Sequence, residues 1–304
     1  MRGLETQLLI SMICYLKEFN MFSVIIPAHN EEAVIAKSLK ALTSSMQPNE
    51  MQIIVACNAC KDKTAEIARQ FSGVTVLETD IPGKPNALNM ADREATCFPR
   101  IYLDADILMS TDTARELSRV LSRGDIHAAA PGLKVNLGGR SWLLKAYYAI
   151  WTRLPYCTQG MVGSGVYALS EAGRSRFDDF PELLAEDDFI RLLFSPTERM
   201  TLPNHNFVIS SPTSFSALLN LRRRWERSNR QIDNNFVGMR ENDKRDYFPF
   251  IKELLCKPVL WPALMVYVYA IMSSRLVAAM QLRFANNPWE WSRDDTAREQ
   301  MGKD

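Results

Sequence analysis

Short β-rich runs separated by helical patterns occupy residues 22–108, and this alternation constrains the fold more than any other feature of the sequence. Phe22-Ser23-Val24-Ile25-Ile26-Pro27 is a β-prone run that stops at proline. Ala33, Ile35, Leu39 and Leu42 then recur at helical spacing, with Asn30 positioned to cap that helix and Glu31 and Glu32 in its first turn. Residues 51–56 form a second β-rich run, Thr64 to Phe71 a second helix and residues 74–78 a third run. Gly83-Lys84-Pro85-Asn86 is a turn that opens a helix around Ala87 to Ala95. Ile101-Tyr102-Leu103 follows Phe98-Pro99 and reads as a strand buried on both faces. Strands alternating with helices of about ten residues predict an α/β, doubly wound, mostly parallel sheet with helices on both faces and an open ligand edge.

The last of these strands runs into two carboxylates, Asp104 and Asp106. Positions i and i+2 of a strand project to the same side, so the pair converges past the strand's carboxyl end, where open α/β sheets bind ligands. Two close like charges need neutralisation, and a hard divalent cation sharing its coordination with a phosphate supplies it. Taken alone, the stretch reads equally well as an acidic turn with Asp112 capping the next helix, since D-x-D is a weak pattern. Global charge predicts no polyanion partner and no nucleic-acid binding, with Lys plus Arg at 36 and Asp plus Glu at 35, although local charge is less even at residues 222–230. Six cysteines, at positions 14, 57, 60, 97, 157 and 256, are too sparse for a disulfide framework and suit a reducing, cytoplasmic compartment. Residues 1–20 lack a formed secretory signal and are expected to be an amphipathic helix.

The segments Phe22 to Glu32, Cys57 to Thr64, Gly83-Lys84 to Asn89 and Asp104-Ala105-Asp106, in this order and spacing, resemble a family-2-type glycosyltransferase with a GT-A fold over about residues 20–232. The resemblance implies a nucleotide-sugar donor, Mn²⁺ or Mg²⁺, and inversion at the anomeric carbon. It implies donor contacts from Pro27, Ala28, Asn30 and Glu31, with Asn58 standing where many members carry an acid. Lys84 and Asn89 face the donor in the matching segment. Asp106 is expected to be the principal metal ligand, with Asp104 supporting the metal or the donor ribose. His29 reads more simply as a residue that fills its loop.

Further along, Gln159 to Leu169 packs three glycines into a loop before a strand; the resemblance assigns Gly163, Ser164 and Gly165 to the acceptor side. The run Glu186-Asp187-Asp188 resembles the family's acidic motif at a helix start. Asp187 matches the catalytic base and Glu186 is an acceptor-orienting candidate; three acids complementing a helix dipole is the simpler alternative. Arg224-Trp225 resembles part of the Q-x-x-R-W motif of processive synthases, with Leu221 in place of the glutamine. The basic run at 222–230 suits diphosphate, an anionic acceptor, anionic lipid or plain solvent.

Residues 258–280 include about seventeen charge-free positions, at the low edge of a membrane span. Spanning, lying on a membrane surface and packing on the domain all fit that segment. The expected organisation is a GT-A-like domain at 21–235 followed by a helical region at 236–304. The expected acceptor is a saccharide, lipid-linked or small hydroxyl compound. Rival readings are a sugar nucleotidyltransferase, a non-catalytic nucleotide-sugar-binding relative, and a redox protein using Cys57-x-x-Cys60.

Overall fold

The computed structural model describes residues 21–161 and 163–284. The helix expected at 1–20 and the polar tail after Asn286 lie outside them. The elements run β1 (Phe22–Ala28), α1 (Ile35–Thr43), β2 (Met51–Asn58), α2 (Thr64–Ala68), β3 (Val74–Thr79), α3 (Lys84–Glu94), β4 (Arg100–Leu103) and α4 (Thr111–Leu121). Then come β5 (Ala128–Asn136), α5 (Trp142–Trp151), α6 (Pro155–Thr158), β6 (Val166–Leu169), α7 (Glu171–Arg174), α8 (Glu186–Leu193) and β7 (Arg199–Ser210). The last elements are all helical: α9 (Phe215–Asn235), then, in the region after residue 235, α10 (Phe248–Cys256), α11 (Trp261–Phe284) and two 3-10 turns, Met239–Asp243 and Pro258–Leu260.

The seven strands form one sheet in the order β3-β2-β1-β4-β6-β5-β7. Pairings β2–β3, β1–β2, β1–β4 and β5–β7 are parallel, while β6 runs antiparallel to both β4 and β5. The chain winds outward from β1 to β3, then returns to the other side of β1 as β4. This reversal opens a crevice at the carboxyl ends of β1 and β4, the position α/β sheets use for ligands.

Strand periodicity divides the core into two layers. Val24, Ile26, Ile53, Val55, Ile101 and Leu103 pack with α1, α2 and α4 on one face. Ile25, Ile54, Ala56 and Tyr102 pack with α3 and α8 on the other. Burial on both faces explains the near-continuous apolar strands. A smaller aromatic cluster, including Tyr147, Trp151 and Leu218, joins α5, α9 and α11.

Local capping differs from expectation at two places. Asn30 does not cap α1: its φ is 51°, and α1 begins after Val34 without a side-chain cap. The Asn30 Oδ1 instead accepts from the Lys61 amide at 2.7 Å, and no acid lies in the first turn of α1. Ser110, rather than Asp112, caps α4 through the Thr113 amide at 3.3 Å. Asp62 accepts from the Thr64 amide at the start of α2 at 3.0 Å.

Candidate active site

Four loops at the strand ends enclose a cleft of about 650 Å³, within the range of small-molecule sites. Pro27, Ala28, His29 and Glu31 supply one wall and Asp104 to Ile107 the floor. Gly163 to Gly165 and Glu182 to Asp187 face them. Arg224, Trp225, Ser228 and Gln231 close the remaining side from α9.

The nucleotide end expected from the sequence is held together by Asn58. Its Nδ2 donates to the Ala28 carbonyl at 2.9 Å, and its Oδ1 accepts from the Gly83 amide at 3.2 Å. Its backbone carbonyl accepts from His29 Nδ1 at 2.6 Å. A carbonyl only accepts, so Nδ1 of His29 carries the proton, and Nε2 is left to accept from Asn30 Nδ2 at 3.2 Å. An amide is the side chain that can both donate to Ala28 and accept from Gly83. That is a physical reason for asparagine here instead of an acid. Cys60 contributes to the same loop, with its Sγ accepting from the Asn30 amide at 3.4 Å. Cys57 and Cys60 are free thiols.

At the floor, Lys84 begins α3 and reaches between two carboxylates. Its Nζ lies 2.5 Å from Asp104 Oδ1 and 2.6 Å from Glu186 Oε1. Burial works against the ammonium, but Asp104, then Glu186 and Asp187, hold its pKa above the ordinary lysine value. Burial pushes the Asp104 carboxyl up to about 6; Lys84 opposes that rise, while Glu186 and Asp106 add to it. Burial, then the neighbouring Glu186 and Asp188, push Asp187 up to about 7 against the pull of Lys84.

The structure separates the three consecutive acids. Glu186 is 3% exposed and turned to Lys84. Asp187 lines the cleft, and its Oδ2 accepts from the Gly165 amide at 3.3 Å. Asp188 turns away to the buried Arg191, whose Nε lies 3.1 Å from Asp188 Oδ1. Arg191 is also paired with Asp243, which ties α8 to the 3-10 turn at Met239–Asp243.

The glycine loop is fixed at three points. The Asp104 amide donates to the Gly165 carbonyl at 2.8 Å, Asp187 accepts from the Gly165 amide, and the Tyr156 hydroxyl donates to the Gly163 carbonyl at 2.7 Å. Gly165 has φ +84°, and a Cβ there would stand 2.6 Å from Asp104 Oδ2. Both the backbone and the space demand glycine.

Of the residues singled out from the sequence, Asn30 and Asn89 do not line the cleft. Asn89 exchanges two hydrogen bonds with the Phe180 backbone, at 2.7 and 3.2 Å. It thereby pins the loop after α7 to α3, a bond across ninety-one positions that spacing cannot reveal. Trp225 stacks on Trp151 at 5.8 Å, which orients the wall that Arg224 shares. Gln231 and Leu184 were not anticipated as lining residues. The Leu184 amide donates to Gln231 Oε1 at 3.0 Å, and Gln231 lies on the face of α9 that also carries Leu221, Trp225 and Ser228. The spacing of that helix face was the available signal.

Asp104, Asp106, Glu186 and Asp187 bring four carboxylates to a cleft whose floor holds one ammonium, Lys84. All are oxygen donors, which suits a hard cation such as Mn²⁺ or Mg²⁺. Among the described residues no three His, Cys, Asp or Glu side chains form a metal-holding group. A cation at Asp106, with Asp104 beside it, would therefore take most of its coordination from water and a ligand's phosphates, as small hard cations commonly do.

Comparison with known proteins agrees with this architecture. Residues 23–162 match the Glycosyl transferase family 2 model. The chain is 36% identical over 100 residues to a probable glycosyltransferase, YdaM, of Bacillus subtilis; the match covers 30% of this chain and 24% of that protein, about a quarter of its length. Mannosyltransferase PcManGT from Pyrobaculum calidifontis, solved with GDP-Man and Mn²⁺, superposes with a TM-score of 0.58 at 20% identity, covering 88% of this chain and 76% of that one. TarS 1–349 of S. aureus, solved with UDP-GlcNAc, gives a TM-score of 0.52 at 16% identity, over 86% of this chain and 91% of that one. At those identities the two structures speak for the fold. With the ordered motifs and the sheet that carries them, the match over residues 23–162 and the sequence relative support a family-2 glycosyltransferase, and the structural likenesses show a GT-A fold.

Proposed function

We propose that the chain is an inverting glycosyltransferase that moves a sugar from a nucleotide-sugar donor to a hydroxyl acceptor, in polysaccharide or glycolipid synthesis. The observation that carries this reading is the meeting of Lys84, Asp104, Glu186 and Asp187 in one cleft, beneath the loop of Pro27 and Ala28. The nucleoside sits against Pro27, Ala28, Glu31 and the Asn58-braced loop. Lys84 faces the diphosphate as a compact charge. Asp106 and Asp104 would hold Mn²⁺ or Mg²⁺, which would supply Lewis-acid stabilisation of charge on the diphosphate.

Asp187 takes the proton from the acceptor hydroxyl while that oxygen forms a bond to the anomeric carbon. The bond from that carbon to the diphosphate breaks on the opposite face, and the nucleoside diphosphate leaves with the bonding pair. One displacement inverts the centre. A carboxylate whose pKa lies near 7 is a better base at neutral pH than an ordinary aspartate. Gly163, Ser164 and Gly165 border the acceptor side, and Arg224 and Trp225 close the donor side. The sparse, free cysteines suit a cytoplasmic setting, and the apolar C-terminal helix suits the cytoplasmic face of a membrane.

The test is donor turnover with Mn²⁺ and a panel of nucleotide sugars. Release of nucleoside diphosphate is expected. In Asp187→Asn, single-turnover transfer falls on the order of a hundred- to ten-thousand-fold while donor affinity is kept. Pyrophosphate release would make the chain a nucleotidyltransferase, and binding without turnover a non-catalytic relative.

A further inference from the structure

Most exposed large apolar side chains of the described residues fall between Tyr247 and Met280. On α10 they are Phe248, Ile251 and Leu255, with Phe248 70% exposed. Val259 in the following 3-10 turn is 82% exposed. On α11 the outward positions Trp261, Met265, Met272, Leu276 and Met280 repeat at helical spacing, along a helix ~36 Å long at ~1.5 Å per residue. The opposite stripe, Ala270, Ser274 and Ala278, is buried. There the helix docks on α5 and α9: Tyr267 lies 5.4 Å from Tyr147, Tyr269 lies 6.4 Å from Phe215, and Arg275 Nε lies 3.5 Å from Glu226.

We propose that α10, the Pro258–Leu260 turn and α11 form an in-plane docking surface for an anionic lipid bilayer, lying flat in one leaflet without crossing. The proposal deepens the membrane-face reading above and rests on it. Length and composition alone would let Pro258–Gln281 cross, and only 17% of that window is buried. The docking geometry opposes a crossing. The middle of α11 is fastened to α9 beside Arg222, Glu226 and Arg275, so a crossing would carry those charges into hydrocarbon. Lying flat leaves them on the domain side and sends the apolar stripe into lipid.

Charge selects the occupant. Between Tyr247 and Phe284 the sole acid is Glu253, which lies 2.9 Å from Lys257 and 3.5 Å from Arg153. The same segment carries Lys252, Lys257 and Arg283, besides Arg275 on the domain side. A second copy would set cations against cations, whereas anionic headgroups complement them. Exposed Tyr247, Trp261 and Tyr269 are residue types that favour a headgroup boundary. The surface lies one helix from the cleft, since α9 carries Arg224 and Gln231 on its other side.

The test uses the full chain with an epitope tag at each end. Purified protein is sedimented with phosphatidylcholine vesicles, with and without phosphatidylglycerol. Tag accessibility is read by protease on sealed membranes from an expressing host. Anionic vesicles should bind several-fold better, salt should weaken that binding, and both tags should be cleaved from the same side. Met272→Glu with Leu276→Glu should lower partition at least ~10-fold, with melting midpoint and donor turnover unchanged. Tags on opposite sides would overturn the in-plane arrangement while leaving membrane association standing. No vesicle binding by the unaltered chain would overturn membrane association itself. A discrete dimer abolished by the double substitution, without lipid binding, would assign the face to a second copy. Unchanged partition of the double variant would place the contact elsewhere.

Discussion

At the scale of single residues, the cleft depends on side chains chosen for their hydrogen-bonding capacity as much as for charge. Asn58 is the clearest case, because its amide joins Ala28 to Gly83 and its carbonyl orients His29. Asn58→Asp keeps the shape but replaces the donor facing the Ala28 carbonyl with an acceptor. An unmatched buried pair of that kind costs about 1–3 kcal/mol. A lower denaturation midpoint and weaker donor binding are therefore expected, measured by chemical unfolding and titration; an unchanged midpoint would mean that Asn58 does not brace the loop. Residue type and order made Lys84, Asp104 and Asp187 legible as candidates from the sequence. Asn30 and Asn89, singled out with them, do not line the cleft, because their partners, Lys61 and Phe180, are chosen by tertiary contact and leave no periodic mark.

At the scale of elements, the alternation of strands and helices up to β4 was readable because each strand is buried on both faces and each helix is bounded by turn residues. The direction of β6 was not. Four apolar residues after a glycine loop carry no signal for parallel or antiparallel pairing, since β4 and β5, the partners that decide it, are distant in sequence. That direction matters to the site. Running β6 against β4 sets Val166 opposite Leu103, and so brings Gly165 to the end of β4 that carries Asp104. Gly165→Ala is expected to fail on both counts that favour glycine, a φ of +84° and a Cβ 2.6 Å from Asp104 Oδ2. Asp104 would have to shift from Lys84, weakening metal-dependent donor binding at least ~10-fold, with a stability loss of ~1–3 kcal/mol from the strained backbone. Gly124→Ala is the control: its φ of +86° imposes similar strain, but open space surrounds it. Equal loss of donor affinity in both variants would mean that strain, not crowding at Asp104, is responsible.

At the scale of the whole molecule, a cleft built from excess carboxylates couples stability to pH. The main packing layers lie within the sheet sandwich, while Asp187 is held near the cleft at a pKa of about 7 by burial and its acidic neighbours. In an unfolded chain the same carboxyl returns to ~3.9. The folded state thus binds more protons than the unfolded state between those values, and stability contributed by this group falls as pH rises. That contribution is fully present below ~3.9 and is lost as pH climbs through about 7. Other groups share the same pH range, so the informative quantity is the difference between the wild-type chain and Asp187→Asn, which cannot titrate there. In chelator, the melting temperature of the wild type should gain on the variant's as pH is lowered from 8 towards 5. With Mn²⁺ present the comparison changes: a cation near the cluster favours the ionised form, lowers the effective pKa of Asp187 and shrinks the pH-dependent difference. The measurement is a set of thermal melts across pH, for both proteins, with chelator and with Mn²⁺. A difference that stays flat in chelator would mean that Asp187 is an ordinary ionised aspartate, and would remove the argument that its environment prepares it to take a proton near neutral pH.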